Sequence, residues 1–583
     1  MIQMKTGEVT WKIGGEAGYG IMVTGLTMSK LFSRSGYNVF DYPEYPSLIR
    51  GGHNSYQVRA SVHKVNSPLK NVDVLVALNQ DTVDMHFSEL NAGGILIYDE
   101  DLIDELPRAD ETINIRLYKI PFEKIAVDVA GEKLMRNTVA IGASLPIYGL
   151  PLEKLTDILE EAFARKAQEI IDSNVRAAEA GFKAMKEFLG KETPFAIRDS
   201  NKPKKLIMTG NEAIALGAIR AGCKFYAAYP MTPSSPILHF MAANDRRFEM
   251  VVKHTEDEIA AINMAIGAAT AGARSMVATS GGGFSLMVEG LGLAGMTETP
   301  VVIVEGQRGA PSTGLPTWTE QGDLRFVVGA SQGDFLRIIL APGDVSQCFY
   351  LTASAFNMAE KVQTPVIVMS DKHVAESHST VDDIDPGKVD VDRGELLSES
   401  DERLGEDFKR FKITESGISP RSIPSYEGGI YFANSDEHDG KGFSIEDSPT
   451  RTAMMDKRLR KISTALSITP KPLWHGSEKP DVLLVGWGST RGAILDSVRE
   501  LKKDGVDAAF LQVLTLCPLH ADDIRSAISR CKKIACIENN KTGHLKGLIA
   551  EKCGINIESF LPKYDGRPFF PEEIIKWVKE VLS

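Results

Sequence analysis

The feature that most constrains this chain is the alternation of short apolar runs and helical stretches between residues 206 and 380. Phe225–Ala228, Met250–Val252, Ser275–Thr279, Val301–Val304, Leu336–Ala341 and Val366–Ser370 read as strands. Helical patterns lie between them at Glu212–Arg220, 256–272, Ser285–Met296 and Val345–Val362. Such alternation predicts a parallel sheet covered by helices on both faces. Loops beyond the carboxyl ends of parallel strands gather on one rim, where these folds place their chemistry. Three of the loops stand out. Tyr229-Pro-Met-Thr-Pro-Ser-Ser-Pro236 offers hydroxyls, Glu256-Asp257-Glu258 carboxylates, and Gly306-Gln-Arg-Gly-Ala-Pro-Ser-Thr-Gly-Leu-Pro-Thr317 a guanidinium among glycines. Together they suit a small anion gripped beside a heterocyclic cofactor.

A chain of 583 residues has room for about three or four domains, and three α/β domains are expected. The first spans 1–190. Its strand Val9–Ile13, glycine-rich turn Gly14–Gly20 and helix Ile21–Arg34 present backbone N–H groups and a positive helix end to a phosphate. The spacing departs from G-x-G-x-x-G, so a phosphate-bearing ligand and a tight turn without one both fit. Further strands are expected at Tyr56–Ala60, Val72–Leu78 and Gly94–Tyr98, and two helices between Leu152 and Leu189. Arg50-Gly-Gly-His-Asn-Ser55 is a second glycine-rich loop, in which His53 reads equally as solvated or as a ligand contact. Residues 191–205, with Pro194, Lys202 and Pro203, read as a linker to the 206–380 domain.

Residues 381–478 are acidic and rich in Gly, Ser and Pro, with one short basic helix around Arg451–Leu466. They read as an extended insertion wrapping the core or a partner. Ser435–Gly440 lacks carboxylates at the calcium-loop positions and reads as a polar loop. From 479 to 583 the alternation resumes, with strands Asp481–Gly486, Ala508–Val513 and Lys533–Glu538 and no evident catalytic constellation. That segment reads as a packing and assembly domain.

Several function classes are set aside. A net charge of −12 argues against a nucleic-acid surface. The six cysteines form no metal-ligand spacing, so reduced, mostly buried thiols are expected, with no metal site or iron–sulfur cluster in this chain. No targeting peptide and no run of about 18 apolar residues is evident, which gives a cytoplasmic rather than membrane-spanning expectation.

At the central rim, Glu258 shares a helix face with Ile262, Ala265 and Ile266. A carboxylate on that apolar face needs a proton-bearing partner, whereas all three acids are also accounted for by the positive helix end. The choice between Glu258 and Glu256 stays open on these grounds. Taken alone, Thr232 reads as a residue of a proline-rich turn and Arg308 as a surface arginine. Thr317 alone says little, and Ser280-Gly-Gly-Gly283 reads as a tight strand-to-helix turn.

These stretches resemble the alpha chain of 2-oxoacid:ferredoxin oxidoreductases, thiamine-diphosphate enzymes that oxidatively decarboxylate pyruvate or 2-oxoglutarate. Tyr229–Pro236 is similar to the family's Y-P-I-T-P-S-S loop, with Met231 in place of Ile. Glu256–Asn263 and Gly306–Thr317 match characteristic family runs, and Ser435–Lys461 and the C-terminal domain look familial. The N-terminal domain resembles a gamma subunit fused ahead of alpha. Two positions depart: Gly282 stands where the family more often has Pro, and His254 where it often has Gln.

The resemblance implies a pyrimidine-binding-type central domain and a transketolase C-terminal-like domain. Glu258 would bond N1′ of the thiamine aminopyrimidine and assist proton transfer. Arg308 would hold the substrate carboxylate, with Thr232 and Thr317 on the substrate wall and Tyr229 and Pro230 against the cofactor. Gly15, Gly18 and Gly20 would serve coenzyme A, a substrate linked to the gamma-like domain. No Gly-Asp-Gly followed by Asn is found, so a beta subunit would supply the diphosphate and magnesium site and an iron–sulfur cluster, with ferredoxin as acceptor and a 2-oxoacid as substrate. Competing readings are a non-catalytic assembly subunit and a nucleotide-linked dehydrogenase using Gly14–Gly20.

Overall fold

The computed structural model describes residues 7–48, 51–107, 114–197, 204–381 and 384–582. Arg50 of the second glycine-rich loop and Lys202 and Pro203 of the linker lie outside them. The chain forms two compact units, 1–208 with 377–382 and 570–573, and 209–376 with 383–569 and 574–583.

The first unit is built on an eight-stranded sheet in the order Arg116–Lys119, Leu90–Tyr98, Val72–Ala77, Glu8–Glu16, His53–Ser61, Asn38–Glu44, His378–Val381 and Leu206–Thr209. The first four strands are parallel, and His53–Ser61 runs antiparallel to both of its neighbours, Glu8–Glu16 and Asn38–Glu44. The opening strand runs past Ile13, pairing Gly14 with Ser55 and Gly15 with Asn54, so the glycine-rich turn is shorter than its sequence suggests. A Cβ at Gly15 would press on Ile21 and Leu78, and one at Gly20 would run into Asn137 Nδ2. Gly18, with φ of 102°, has nothing within 4 Å of that position. Two of these glycines are therefore explained by packing, and only Gly18 borders open space.

Helix Arg136–Tyr148 has no counterpart in the sequence reading, and its burial explains why. Every residue from Thr138 to Tyr148 is buried, which leaves no polar face to mark a helical period. It crosses helix Gln168–Leu189 closely: a Cβ on Gly142 would strike the Ala178 carbonyl, and one on Gly181 the Val139 carbonyl.

The second unit carries two sheets. The larger orders Thr515–Cys517, Ile338–Leu340, Val366–Asp371, Val302–Gln307, Ser275–Thr279, Phe225–Ala228 and Val251–His254, parallel except for the first strand. The smaller orders Leu473–His475, Ala508–Gln512, Val482–Gly486, Lys533–Glu538 and Ser559–Pro562, again parallel except for the first. One apolar core serves both, joining Val277, Ile303 and Ile367 to Leu483, Trp487 and Cys536. The C-terminal segment thus lends the larger sheet both an edge strand and part of its interior.

Two buried carboxylates tie the irregular 384–447 segment and the helix Ser448–Ile468 to this core. Glu298 receives Lys457 and Lys461, while Arg410 donates to its carbonyl at 2.8 Å. Glu360 pairs with Arg274 at 2.9 Å, Arg393 at 2.6 Å and Arg421 at 2.7 Å. Burial alone would raise the Glu298 carboxyl, but Lys457, Lys461 and Arg410 outweigh it and hold the group well below the usual carboxylate range. The segment lacks sustained periodicity because charge pairs, rather than an apolar stripe, fasten it.

Candidate active site

The carboxyl ends of the parallel strands in the larger sheet carry the loops singled out above. Glu258 is the first residue of helix Glu258–Thr270. Asp257 precedes it as the cap, its side chain accepting the Ala260 N–H at 2.8 Å, and Thr255 Oγ1 donates to the Asp257 carbonyl at 2.8 Å. These bonds aim Glu258 inward; it is 3% exposed, on one face with Ile262 and Ala265. Glu256 is exposed. Asp257 caps the helix and Glu256 faces water, so Glu258 alone of the three turns into the fold.

No donor among the described residues reaches Glu258 Oε1. Burial raises its carboxyl above the ordinary value, and the neighbouring Asp257 adds to the rise. A Cβ at Gly283 would clash with Thr279 Oγ1 and lie 2.5 Å from Glu258 Oε1. One at Gly281 would lie 2.5 Å from Asp323 Oδ2. The glycines of Ser280-Gly-Gly-Gly283 open helix Gly281–Met296, and side-chain carboxyls fill the room at its first and third residues.

Thr232 sits on a loop held from two sides. Asn211 Nδ2 donates to the Pro233 carbonyl at 2.8 Å, and Ser234 Oγ donates to the Thr279 carbonyl at 2.5 Å. Gly306 permits this approach, since its Cβ would lie 2.7 Å from Ser234 Oγ. Arg308 Nη1 donates to the Thr232 carbonyl at 2.8 Å, so the structure joins these two loops directly. Burial lowers the Arg308 guanidinium from its ordinary value, and Asp323 opposes that. Thr317 is buried, and its Oγ1 has no partner among the described residues. Tyr229 is 40% exposed and meets the His254 ring edge-on at 6.3 Å, with the half-buried Pro230 beside it. Gly15, Gly18 and Gly20 belong to the first unit.

A cavity of about 460 Å³ opens between Ser280, Gly281, Arg308, Asp323, Lys541 and His544. Sequence reasoning passed over the last three. Lys541 and His544 follow strand Lys533–Glu538, and the polar run Asn539-Asn540-Lys541-Thr542 past a parallel strand's carboxyl end was the available signal.

Residues 10–184 match a family model described as pyruvate ferredoxin/flavodoxin oxidoreductase. Residues 216–457 match one described as pyruvate flavodoxin/ferredoxin oxidoreductase, thiamine diP-bdg. The chain is 31% identical to the 2-oxoacid:ferredoxin oxidoreductase subunit alpha of Saccharolobus solfataricus, over 99% of this chain and 98% of that one. This chain belongs to the 2-oxoacid:ferredoxin oxidoreductase alpha-subunit family. It is also similar to the 2-oxoglutarate synthase subunit KorA of Methanothermobacter thermautotrophicus, at 34% identity over 64% of this chain and 98% of that subunit. Its fold matches a solved 2-oxoglutarate:ferredoxin oxidoreductase from Magnetococcus marinus, bound to 2-oxoglutarate, coenzyme A and succinyl-CoA. There the TM-score is 0.92 at 32% identity, covering 99% of this chain and all of that one. Among the described residues of this alpha subunit, no helix is long and apolar enough to cross a membrane.

The glycines at the start of helix Gly281–Met296 supply a paired test within this oxidoreductase subunit. Gly283→Ala pushes a methyl into Glu258 and Thr279. If Glu258 is a reacting group, this should lower oxoacid-dependent turnover by on the order of 10²-fold, the cost of misplacing such a group by about 1 Å. Gly282→Ala, whose methyl meets nothing within 4 Å, is expected to leave turnover alone and stabilise by about 0.5–1 kcal/mol. Steady-state rates and melting curves of the two variants check this.

Proposed function

We propose that the chain is the alpha subunit of a thiamine-diphosphate-dependent 2-oxoacid:ferredoxin oxidoreductase that forms an acyl-CoA and CO₂, with Glu258 as its catalytic acid–base residue. The observation that carries the proposal is the Glu258 carboxyl: buried, seated against Gly283, with Oε1 meeting no donor among the described residues. These features fit the N1′ edge of an aminopyrimidine, since a buried carboxylate oxygen without a donor is stabilised by a ring-borne proton. Thiamine diphosphate, when bound, supplies the carbanion chemistry and the electron sink for decarboxylation.

This chain's residues would do the rest. Glu258 holds or accepts the proton at N1′, and burial raises its affinity for that proton. Arg308, placed by the Thr232 carbonyl, pairs with the substrate carboxylate. Thr232 and Thr317 present hydroxyls on the substrate wall, and Tyr229 and Pro230 line the cofactor side. In the first unit, the loop through Gly15, Gly18 and Gly20 would face coenzyme A, with the open space at Gly18 as its point of approach. A beta partner would carry the diphosphate and magnesium site and the iron–sulfur cluster that passes electrons to ferredoxin.

Co-purification with that partner, followed by acceptor reduction with pyruvate, 2-oxoglutarate or a branched oxoacid, tests the assignment. The chain alone is expected to be inactive, and the complex active. Arg308→Gln in the complex should raise the oxoacid KM by roughly 10- to 10²-fold, the worth of a hydrogen bond to a charged group. An unchanged KM would remove Arg308 from the substrate site.

A further inference from the structure

The cavity beside Arg308 has a second acid behind its wall. Glu305, on strand Val302–Gln307 in register with Thr279, is fully buried. Neither of its carboxyl oxygens meets an N–H or O–H donor among the described residues. Asp323, whose negative charge adds to burial in raising the Glu305 carboxyl, is packed against Gln307, two residues along the same strand face. Asp323 is itself held in place, its N–H donating to Gln307 Oε1 at 3.1 Å and its Oδ2 abutting Gly281. Two ionised carboxylates close together, with no donor for Glu305, repel each other, which favours keeping one proton on the pair.

We propose that Glu305 and Asp323 share one proton and act as a positioning pair for Arg308, presenting the oxoacid site with one negative charge instead of two. The inference rests on the assignment of Arg308 to the substrate carboxylate. Surrounding charges agree with it. Burial, then Asp323, then Asp371 push the Glu305 carboxyl well above its usual range. Asp323 is raised less, because Glu305 and Arg308 both favour its ionised form against burial. Glu305 therefore keeps the proton, although the two titrate as a unit. Glu320 also faces Asp323, and Lys541 and His544 line the same cavity. Asp371 is held by Thr319 Oγ1 at 3.3 Å and the Val374 N–H at 3.1 Å.

The sign of the effect follows. With the proton in place, Arg308 balances a single charge and stays on Thr232. When alkaline pH removes the proton, a second negative charge appears beside Arg308 and the substrate anion. The oxoacid KM should then rise about tenfold per pH unit above the pair's apparent pKa.

The test uses the reconstituted complex, with the oxoacid KM followed from neutral to alkaline pH for the wild type and Glu305→Gln. The glutamine amide keeps the shape of the side chain but has no proton to lose, so its KM should stay flat where the wild-type KM climbs. Infrared difference spectra of the full chain, without partner or substrate, should show a protonated-carboxyl band that titrates in the wild type and is missing in Glu305→Gln. An alkaline rise retained by Glu305→Gln, or no protonated-carboxyl band in the wild type, overturns the proposal. A complex that turns over no oxoacid would sink the functional assignment instead, leaving the infrared result to decide whether the pair holds a proton.

Discussion

Glu258→Gln in the reconstituted complex is expected to cut oxoacid-dependent acceptor reduction by about 10²–10⁴-fold, the usual worth of a positioned acid–base group. Glutamine keeps the shape and the Gly283 contact but cannot exchange a proton at neutral pH. Stability should move the other way. The folded-state affinity of Glu258 for its proton is raised by burial, so the stabilisation it provides is full below the ordinary carboxyl pKa and is lost as pH rises through the folded value. At neutral pH an ionised Glu258 is a cost, and Gln removes it. The melting temperature is expected to hold or rise while activity collapses, a pattern typical of residues kept for function. Rates within a few-fold of wild type would revive the reading of a non-catalytic assembly chain.

Lys457→Met is expected to be the most damaging change away from the site. Lys457 and Glu298 are both fully buried, with Lys461 and Arg410 beside them. Removing Lys457 leaves the buried Glu298 carboxylate with Lys461 as its remaining lysine partner, which costs up to about 3–5 kcal/mol, the range for breaking a buried pair. Glu298 has its carboxyl held low, so its stabilising contribution is present above the ordinary carboxyl pKa and is lost as pH falls through the folded value. The wild-type cluster should therefore survive mild acid. The matching control is Glu298→Leu with Lys457→Met and Lys461→Met, which removes the lysine pairs together and should recover most of the loss. Limited proteolysis across 384–447, read beside thermal melts, separates these outcomes. Equal stability of Lys457→Met and wild type would contradict the account.

What could be read from the chain beforehand differed from element to element for physical reasons. The central strands were visible because both sheet faces are covered, so Val302–Gln307 and Val366–Asp371 are continuous apolar runs with short polar ends. The helix Arg136–Tyr148 was invisible because it is buried all round. The loops carrying Glu258 and Arg308 could be singled out by their position past strand ends, but the roles of the two residues came from the family resemblance, since taken alone Arg308 reads as a surface arginine. The resemblance named Glu258 rather than Glu256, and the cap at Asp257, visible only in three dimensions, supplies a geometric reason for it. Glu305 and Asp323 escaped notice for another reason. Eighteen residues separate them in sequence, and neither has a motif; only the folding-back of the 308–322 loop brings the two acids together.

The edge strand Thr515–Cys517 determines how this protein can be taken apart. It closes the flank of Ile338–Leu340 from more than 170 residues downstream. A fragment stopped at residue 478 would bare that row of backbone groups and strip Leu483, Trp487 and Cys536 from the shared interior. Exposed strand edges template aggregation. The central segment and the C-terminal tail are therefore one folding unit.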